Sequence, residues 1–254
     1  MKPIKQAEEL LKSLRFSETS KNITDLIKEA EVNDASYTTF LLDVLSYEKK
    51  CREEKLIEKH MKWATFPFHK TLNEFNLDEQ ASLSKKQYHQ LKELTWIEQL
   101  FNLILLGPQG AGKTHLAVGL GIEAIHQGYK VSFISMGEMI HTLKTEEVTK
   151  KSQTRMKRIR NSDLVIIDDM MFMAMDQREA NLFFHLINDL YNSASIIITS
   201  NKAPSDWGEL MGDPSITAAI LDRLIHRAEV IHMNEDSHRM KYRKTIFGNE
   251  SVQN

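Results

Sequence analysis

A glycine-rich stretch in the middle of the chain has the residue types and spacing that bind phosphate groups. Residues 107–114 read Gly-Pro-Gln-Gly-Ala-Gly-Lys-Thr and match the pattern G-x-x-x-x-G-K-[ST] in full. Glycines let backbone N–H groups curl around phosphates, and the N-terminus of a following helix adds partial positive charge. Lys113 is expected to reach the β- and γ-phosphates of ATP, and the Thr114 hydroxyl to ligate Mg²⁺. The residues expected to contact the nucleotide are Gly107, Pro108, Gln109, Gly110, Ala111, Gly112, Lys113, Thr114 and His115.

The sequence on both sides of this stretch favours a phosphate loop over a chance glycine-rich turn. The apolar run Asn102–Leu106 predicts a strand that enters the loop, and Thr114–His126 predicts a helix that leaves it. The bare pattern should arise by accident in roughly one chain of this length per hundred, and the flanking elements reduce that further. We interpret residues 107–114 as a nucleotide-binding loop.

Two carboxylates follow a second apolar run, residues 164–167. In open α/β sheets, ligands bind beyond the carboxyl ends of the strands, so both side chains are expected to point towards the phosphates. Asp168 is placed to hold Mg²⁺, directly or through water, and Asp169 to orient or deprotonate the attacking water. Without the phosphate loop, a strand followed by an acidic turn would be the better interpretation.

A third run, residues 195–198, ends in the polar residues Thr199, Ser200 and Asn201. A polar side chain at such a strand end is able to position water between Asp169 and the γ-phosphate. We assign that role to Asn201, and the alternative is a simple turn signal.

The elements that must position these residues fall into two regions. All 10 glycines lie at or after Gly107, and the earlier part predicts unbroken helices. Apolar spacing predicts helices near 4–14, 20–31, from Asp34 or Ser36 to about 64, and 85–99. Beyond residue 102, apolar runs alternate with helical stretches, which predicts an α/β fold with a parallel central sheet. Its expected strands are Leu103–Leu106, Val131–Ser135, Leu164–Asp168, Ser195–Thr199 and Val230–Met233.

This pattern predicts a helical N-terminal domain over residues 1–65, a nucleotide-binding domain over 66–245 and a polar tail over 246–254. The single cysteine, Cys51, excludes a disulfide framework and a cysteine-based zinc site. No apolar run approaches the ~20 residues of a membrane span, and the N-terminus lacks the apolar core of a signal peptide. We therefore expect a soluble, cytoplasmic protein with no membrane association.

Any affinity for nucleic acid must come from local patches, because 33 Lys and Arg residues stand against 35 Asp and Glu residues. One candidate stripe is spaced to share a helix face, and consists of Arg52, Lys55, Lys59 and Lys62. A second lies between Glu147 and Asp163 and includes Lys150, Lys151, Arg155, Lys157 and Arg158. Both predict contacts with the phosphate backbone, and the alternative for each is a solvated helix face.

The order of phosphate loop, acidic strand end and polar strand end resembles that of AAA+ P-loop ATPases. Three stretches are similar to the branch that holds the IstB family, the ATPase helpers of insertion-sequence transposition, and the related DnaC-type helicase loaders. They are residues 107–120 (GPQGAGKTHLAVGL), 199–213 (TSNKAPSDWGELMGD) and 218–227 (AAILDRLIHR). The resemblance extends over nearly the whole chain, from about residue 8 to 244.

The resemblance implies an ATPase that assembles on double-stranded DNA as a homo-oligomer and helps a cognate transposase. It also implies an arginine finger that completes the neighbouring subunit's site, for which Arg223 is the matching residue and Arg227 the alternative. Asp169 stands where the family usually has Glu, and the shorter side chain predicts slow hydrolysis. From the short stretch after the last predicted strand, we expect no helical lid domain of the kind that many AAA+ proteins carry.

Three other functions stay open on the sequence alone. A DnaC-type replicative helicase loader would share the mechanism but use its N-terminal domain to grip a helicase. A small-molecule kinase would share the phosphate loop and act as a monomer without DNA. A nucleotide-binding scaffold would be indifferent to replacement of Asp169.

Overall fold

The chain folds into two compact units, residues 1–59 and 60–254, in a computed structural model of the protein. The structure describes residues 3–77, 80, 82–170, 175–209 and 213–233. The polar tail predicted at 246–254 lies outside these residues. So does the stretch after Met233, in which no lid domain was expected.

Three helices build the first unit, as the apolar spacing predicts. They are α1 (Pro3–Ser13), α2 (Ser17–Val32) and α3 (Tyr37–Ala64), whose last turn belongs to the second unit. Of the two N-cap residues that the sequence allows for α3, Ser36 is the one that caps: its Oγ accepts a hydrogen bond of 3.2 Å from the backbone N–H of Thr39. In the described part of the chain, no helix is both long and apolar enough to cross a membrane.

A buried carboxylate organises the first unit. Glu48 is 3% exposed, and its Oε2 accepts hydrogen bonds of 2.9 Å from both the backbone N–H and the hydroxyl of Thr19. Burial raises the pKa of Glu48, but the bonds from Thr19 and Arg52 outweigh that effect, and the pKa lies below its usual value. This network ties α2 to α3.

The second unit alternates helices and strands around one parallel sheet. Its helices are α4 (Lys85–Glu93), α5 (Thr95–Glu98), α6 (Lys113–His126), α7 (Met136–Lys144), α8 (Lys150–Arg160), α9 (Gln177–Leu190) and α10 (Pro214–Ile225). Its strands are β1 (Asn102–Leu106), β2 (Val131–Ser135), β3 (Leu164–Met170), β4 (Ser195–Ser200) and β5 (Ala228–His232). Short 3-10 turns cover Leu72–Glu74 and Pro204–Glu209.

The five strands pair in parallel in the order β2-β3-β4-β1-β5, which confirms the predicted α/β class. The chain therefore crosses from β1 to the edge strand β2, returns through β3 to β4, and passes β1 to place β5 at the other edge, so that β1 is flanked by β4 and β5. The predicted strands are all present. β3 continues two residues beyond Asp168, through a register irregularity between Ile167 and Met170, and β5 starts and ends earlier than predicted.

Helices cover both faces of the sheet, which explains why β1 and β4 are buried throughout. One face buries Ile104, Val165 and Ile196 in a cluster with side chains of α7, α9 and α10. On the other face α6 lies so close that a Cβ at Gly121 would come within 2.9 Å of Ile166. The sheet is thereby held rigidly beneath the loops at its carboxyl edge.

The prediction of one helix over residues 85–99 is wrong. The helix breaks at Leu94, which has φ +59° and is fully buried, and the chain resumes as α5. The indole N–H of Trp96 donates to the carbonyl of Leu91 across the break, at 2.9 Å. Burial of the Leu94 and Trp96 side chains offsets the strain of a left-handed backbone at a non-glycine residue. The spacing of apolar residues along the sequence does not show that burial will outweigh this strain, so it predicts one continuous helix.

Candidate active site

The phosphate loop joins the carboxyl end of β1 to the N-terminus of α6, and its shape depends on glycine. A Cβ at Gly107 would lie 2.0 Å from the backbone oxygen of Met233, a distance that no substitution tolerates. Gly112 caps α6 with φ +92°, a conformation that costs other residues strain. The loop backbone can therefore approach its neighbours and a phosphate more closely than other sequences would allow.

Lys113 is the first residue of α6 and is only 6% exposed. Its Nζ donates hydrogen bonds of 2.8 Å to the carbonyl oxygens of Gly107 and Pro108. These bonds hold the ammonium group across the loop, next to the positive end of the α6 dipole. The loop thus combines a fixed cation with a helix N-terminus, the arrangement that suits a polyphosphate.

The other predicted loop residues divide between the exposed tip and the interior. Pro108 and Gln109 are exposed, whereas Ala111 is buried and its carbonyl accepts a hydrogen bond of 3.2 Å from the Gln80 side chain. The Nε2 atom of His115 lies 3.2 Å from the carbonyl oxygen of Thr71, and its ring meets Phe75 edge-on. His115 therefore anchors the loop to the segment that precedes it.

Asp168 lies between two threonine hydroxyls at the carboxyl edge of the sheet. Its Oδ1 accepts hydrogen bonds from Thr114, at 2.9 Å, and from Thr199, at 2.7 Å. Burial raises the pKa of Asp168, the two hydroxyls lower it, and the charge of Asp169 raises it further, so that the pKa lies above its usual value. A half-buried carboxylate beside a hydroxyl is an all-oxygen donor set that fits a hard divalent cation such as Mg²⁺.

Asp169 and Asn201 lie at the same edge of the sheet and are exposed. Asp169 has φ +54°, and its backbone N–H donates to Thr199 Oγ1 at 2.9 Å. Asn201 lies in a bend directly after β4. The fold therefore places the two side chains at the ends of adjacent strands, as the sequence predicts.

Thr199 is the residue that sequence reasoning missed. Its hydroxyl donates to the Asp168 carboxylate and accepts from the Asp169 backbone, so that it fixes both acidic residues. The signal was present: Thr199 is the first polar residue after the apolar run of β4, and it pairs with Leu105 on β1 just before the phosphate loop.

Arg223 lies on α10 against α9. Its Nε donates to Asn188 Oδ1 at 3.1 Å, its NH1 donates to the carbonyl of Ala219, and its guanidinium lies 4.9 Å from the Phe184 ring centre. Arg227 is exposed. In the structure of one chain, Arg223 is thus held on the α9–α10 surface by residues of those two helices.

The basic stripe on α3 is partly neutralised within the first unit. Arg52 donates to Glu48 and lies over the Phe16 ring, and Lys55 forms an ion pair with Glu18. Lys59 and Lys62 are exposed. Of the four predicted phosphate contacts, Arg52 and Lys55 are thus engaged by carboxylates of the first unit, and Lys59 and Lys62 lie nearer the C-terminal end of the helix.

The basic residues of α8 also differ from one another. Lys150, Lys151 and Lys157 are exposed, whereas the Arg155 side chain is 10% exposed. The guanidinium of Arg155 donates to Thr65 Oγ1 at 2.7 Å and to the carbonyl of Phe133. Arg158 lies over the Trp63 ring. Arg155 is thus committed to internal packing, which speaks against the phosphate contact predicted for it.

Comparison with known proteins decides the family. A family model described as IstB-like ATP binding protein matches residues 9–246. The chain belongs to the IstB-like ATP-binding protein family. It is 35% identical over 239 residues to an IS21 insertion-sequence ATP-binding protein of Pseudomonas aeruginosa, covering 94% of this chain and 90% of the relative. It is also 35% identical to an IS21-like ATP-binding protein of Bacteroides fragilis, covering 98% of this chain and 94% of the relative.

Solved structures place this IstB-like chain among the AAA+ P-loop proteins. It superposes on AMPPCP-bound DnaA from Aquifex aeolicus with a TM-score of 0.54 and 25% identity, over 68% of this chain and 52% of that one. DnaI gives a TM-score of 0.55 at 15% identity, over 67% of this chain and 91% of that one, a likeness of fold alone. The IstB-like chain is thus an ATP-binding AAA+ protein of the insertion-sequence group, as the resemblance implied.

Proposed function

We propose that this IstB-like protein hydrolyses ATP with Mg²⁺, assembles on double-stranded DNA as an oligomer with shared ATP sites, and assists a transposase. The observation that carries the ATPase is the half-buried Asp168 carboxylate, held between the hydroxyls of Thr114 and Thr199 beside the phosphate loop. A site built only to hold nucleotide has no need of a positioned pair of acidic residues at this edge.

Each side chain has a part in the proposed reaction. Lys113 and the N-terminus of α6 bind the β- and γ-phosphates. Thr114 and Asp168 would hold Mg²⁺, which neutralises charge on the transferring phosphoryl group when bound. Asp169 orients or deprotonates the attacking water, and Asn201 positions it. Because Asp169 is one methylene shorter than Glu, we expect slow turnover.

Arg223 completes the site of the neighbouring subunit in this proposal. Its guanidinium is supported by α9 at a fixed place on the surface, so that it is preorganised for a partner at little entropic cost. Arg227 is the alternative one turn further along. This assignment makes hydrolysis depend on assembly.

The exposed lysines of α3 and α8 are the proposed contacts to duplex DNA, namely Lys59, Lys62, Lys150 and Lys151. No Phe, Tyr or Trp is interleaved with these lysines within either helix, which favours contacts with the phosphate backbone of DNA and little readout of its base sequence. One structural neighbour, DnaA, is bound to single-stranded DNA. The insertion-sequence context of the relatives supports a transposase as the protein partner.

A replicative helicase loader is the second candidate, and a feature of the first unit favours it. Tyr37 is 96% exposed, and Leu41 and Leu42 are each more than half exposed. Exposed apolar side chains grouped on one helix end suit contact with another protein better than contact with DNA. Capture of a purified replicative helicase in the absence of DNA would reverse our order of the two functions.

ATP hydrolysis with and without long double-stranded DNA, at low and moderate salt, tests the proposal. We expect stimulation by DNA that weakens as salt rises, because each neutralised phosphate releases counterions. The Lys113→Ala variant supplies the background rate. An ATP hydrolysis rate that does not change with DNA would indicate that the basic residues form solvated helix faces. Phosphate transfer to a metabolite would indicate a kinase.

A further inference from the structure

A cavity of about 320 Å³ opens in the second unit, away from the phosphate loop. Its wall is built from the last turn of α3, the start of the edge strand β2 and one face of α8. Thr154, Lys157, Arg158 and Asn161 recur on α8 at spacings of three and four residues, so that they share the face that lines the cavity. The proposed ATPase mechanism leaves this cavity unused.

The inner wall of the cavity is apolar. It includes the Trp63 ring and the Val131 side chain, which is 3% exposed. The hydroxyls of Ser132 and Ser162 also face this region, but they are buried and lie 2.8 Å from each other, so that they satisfy one another. Such a wall favours contact with an apolar side chain.

The rim of the cavity is cationic. It carries Lys130, Lys157 and Arg158, whose guanidinium lies 5.1 Å from the centre of the Trp63 ring. The charge of Arg160, also on α8, is neutralised by ion pairs with Glu146 and Asp189. Across the described ranges, by contrast, no carboxylate forms an ion pair with any of the three rim cations. Their charge is available to an acidic partner.

The backbone of β2 adds a third feature. β2 is an edge strand, and on its outer side the carbonyl of Phe133 is bonded by Thr65, at 3.1 Å, and by Arg155. Along a strand, the side towards which the N–H and C=O groups of a residue point is the same for every second residue. Val131 therefore presents its N–H and C=O groups on the same outer side as Phe133, at the cavity wall. An extended peptide is able to pair with such an edge.

We propose that this cavity binds an extended, acidic peptide segment of a partner protein. One large apolar side chain of the peptide enters the cavity against Trp63, and Asp or Glu residues on either side meet Lys130, Lys157 and Arg158. Duplex DNA matches the charge of the rim but has no group for the apolar wall, because its bases are stacked inside the helix. The proposal stands independently of the ATPase.

Selection from a random 12-residue display library tests the proposal on the full-length protein. The library is selected on the wild type alone, and each enriched peptide is then tested for binding to the Lys130→Glu, Lys157→Glu double variant, since both side chains are exposed and their replacement spares the core. Lys86→Glu makes the same charge change at an exposed site on α4 and is the matched control. The enriched peptides are expected to carry one Leu, Ile or aromatic residue flanked by Asp or Glu.

A selected peptide without tryptophan is then titrated while tryptophan emission is followed. Trp96 and Trp207 are buried, so a change that disappears in Trp63→Phe reports the cavity. The double variant should bind at least about tenfold more weakly because rim charges are reversed, and Lys86→Glu should bind like the wild type. Thr154→Phe, which fills the cavity from an exposed position, should also block binding.

Several results would overturn the proposal. One is a selection whose peptides lack acidic residues or bind the double variant equally well. Another is loss of DNA-stimulated ATPase in the double variant with peptide binding unchanged, which would return these residues to the DNA surface. A third is loss of self-association in sedimentation with no peptide effect, which would mark the cavity as a contact between copies of this chain.

Discussion

The Thr199 hydroxyl contacts both acidic residues at the end of β3. It touches no reacting atom and acts by positioning Asp168 and Asp169. Thr199→Val removes both hydrogen bonds at nearly constant volume, so ATP binding should persist while hydrolysis falls by about tenfold or more, since small displacements in such sites are costly. Thr199→Ser keeps the hydroxyl and should restore most of the rate. Equal turnover in the Val variant and the wild type would remove the positioning role.

Lys113 is the cation of the phosphate loop, and its buried Nζ is fixed by two carbonyls. Lys113→Ala removes the only side-chain charge that the loop, residues 107–114, contributes. We expect loss of ATP binding in equilibrium titrations with a fluorescent ATP analogue. Lys86→Ala, a change at an exposed position on α4, is the matched control. Unchanged binding in Lys113→Ala would refute the assignment of the phosphate loop.

Asp168 links stability to pH. Its pKa is raised in the folded protein, chiefly by burial, so the folded state holds a proton more firmly than the unfolded state. The free energy of unfolding should therefore fall as pH rises from the unfolded pKa of about 3.9 through the raised folded value, and should stay lowered at neutral pH. Asp168→Asn removes this partly desolvated charge and should melt several degrees higher, at about 2–4 °C per kcal/mol.

The measurement is the thermal midpoint of both proteins without nucleotide or Mg²⁺ at several pH values. The gap in favour of Asp168→Asn should widen with rising pH, while ATP hydrolysis by the variant is lost. An Asn variant that melts below the wild type at neutral pH would contradict the raised pKa.

Two basic residues of helix α8, four positions apart, have different surroundings. Arg155 is buried and joins the helix to β2, whereas Lys151 is exposed. Arg155→Ala should lower stability by about 1–3 kcal/mol, because it leaves buried polar groups without their donor, and should spare DNA affinity. Lys151→Ala should weaken DNA binding and reduce its salt dependence with little change in melting temperature. The reverse pattern in melting and filter-binding experiments would exchange their roles.

In the proposed assembly, residues of two neighbouring subunits form each ATP site. Arg223→Ala should bind ATP normally but hydrolyse it slowly, and Asp169→Asn should do the same because the water is no longer activated. Mixing the two variants with DNA creates some interfaces with both an intact arginine and an intact Asp169, so part of the activity should return. Absence of rescue in mixed samples, with assembly confirmed by sedimentation, would argue that Arg223 does not act between subunits; the same experiment with Arg227→Ala tests the alternative.

The sequence by itself determined the parallel α/β class, the phosphate loop and the strand ends that carry Asp168 and Asn201. These follow from local rules: apolar runs of strand length, glycines that free the backbone, and polar residues that begin where burial stops. Lys113, Thr114 and Asp168 could be named because their spacing and order along the chain define the chemistry.

Only the tertiary structure decided which neighbouring side chains meet. Thr199 contacts Asp168 because β3 and β4 are adjacent, a pairing that the order along the chain does not state. Arg155 is buried while Lys151 is exposed, although both read as basic residues of one helix. Leu94 breaks a helix to reach the core. In each instance the deciding energy comes from burial and from partners distant in the sequence, which no local pattern records.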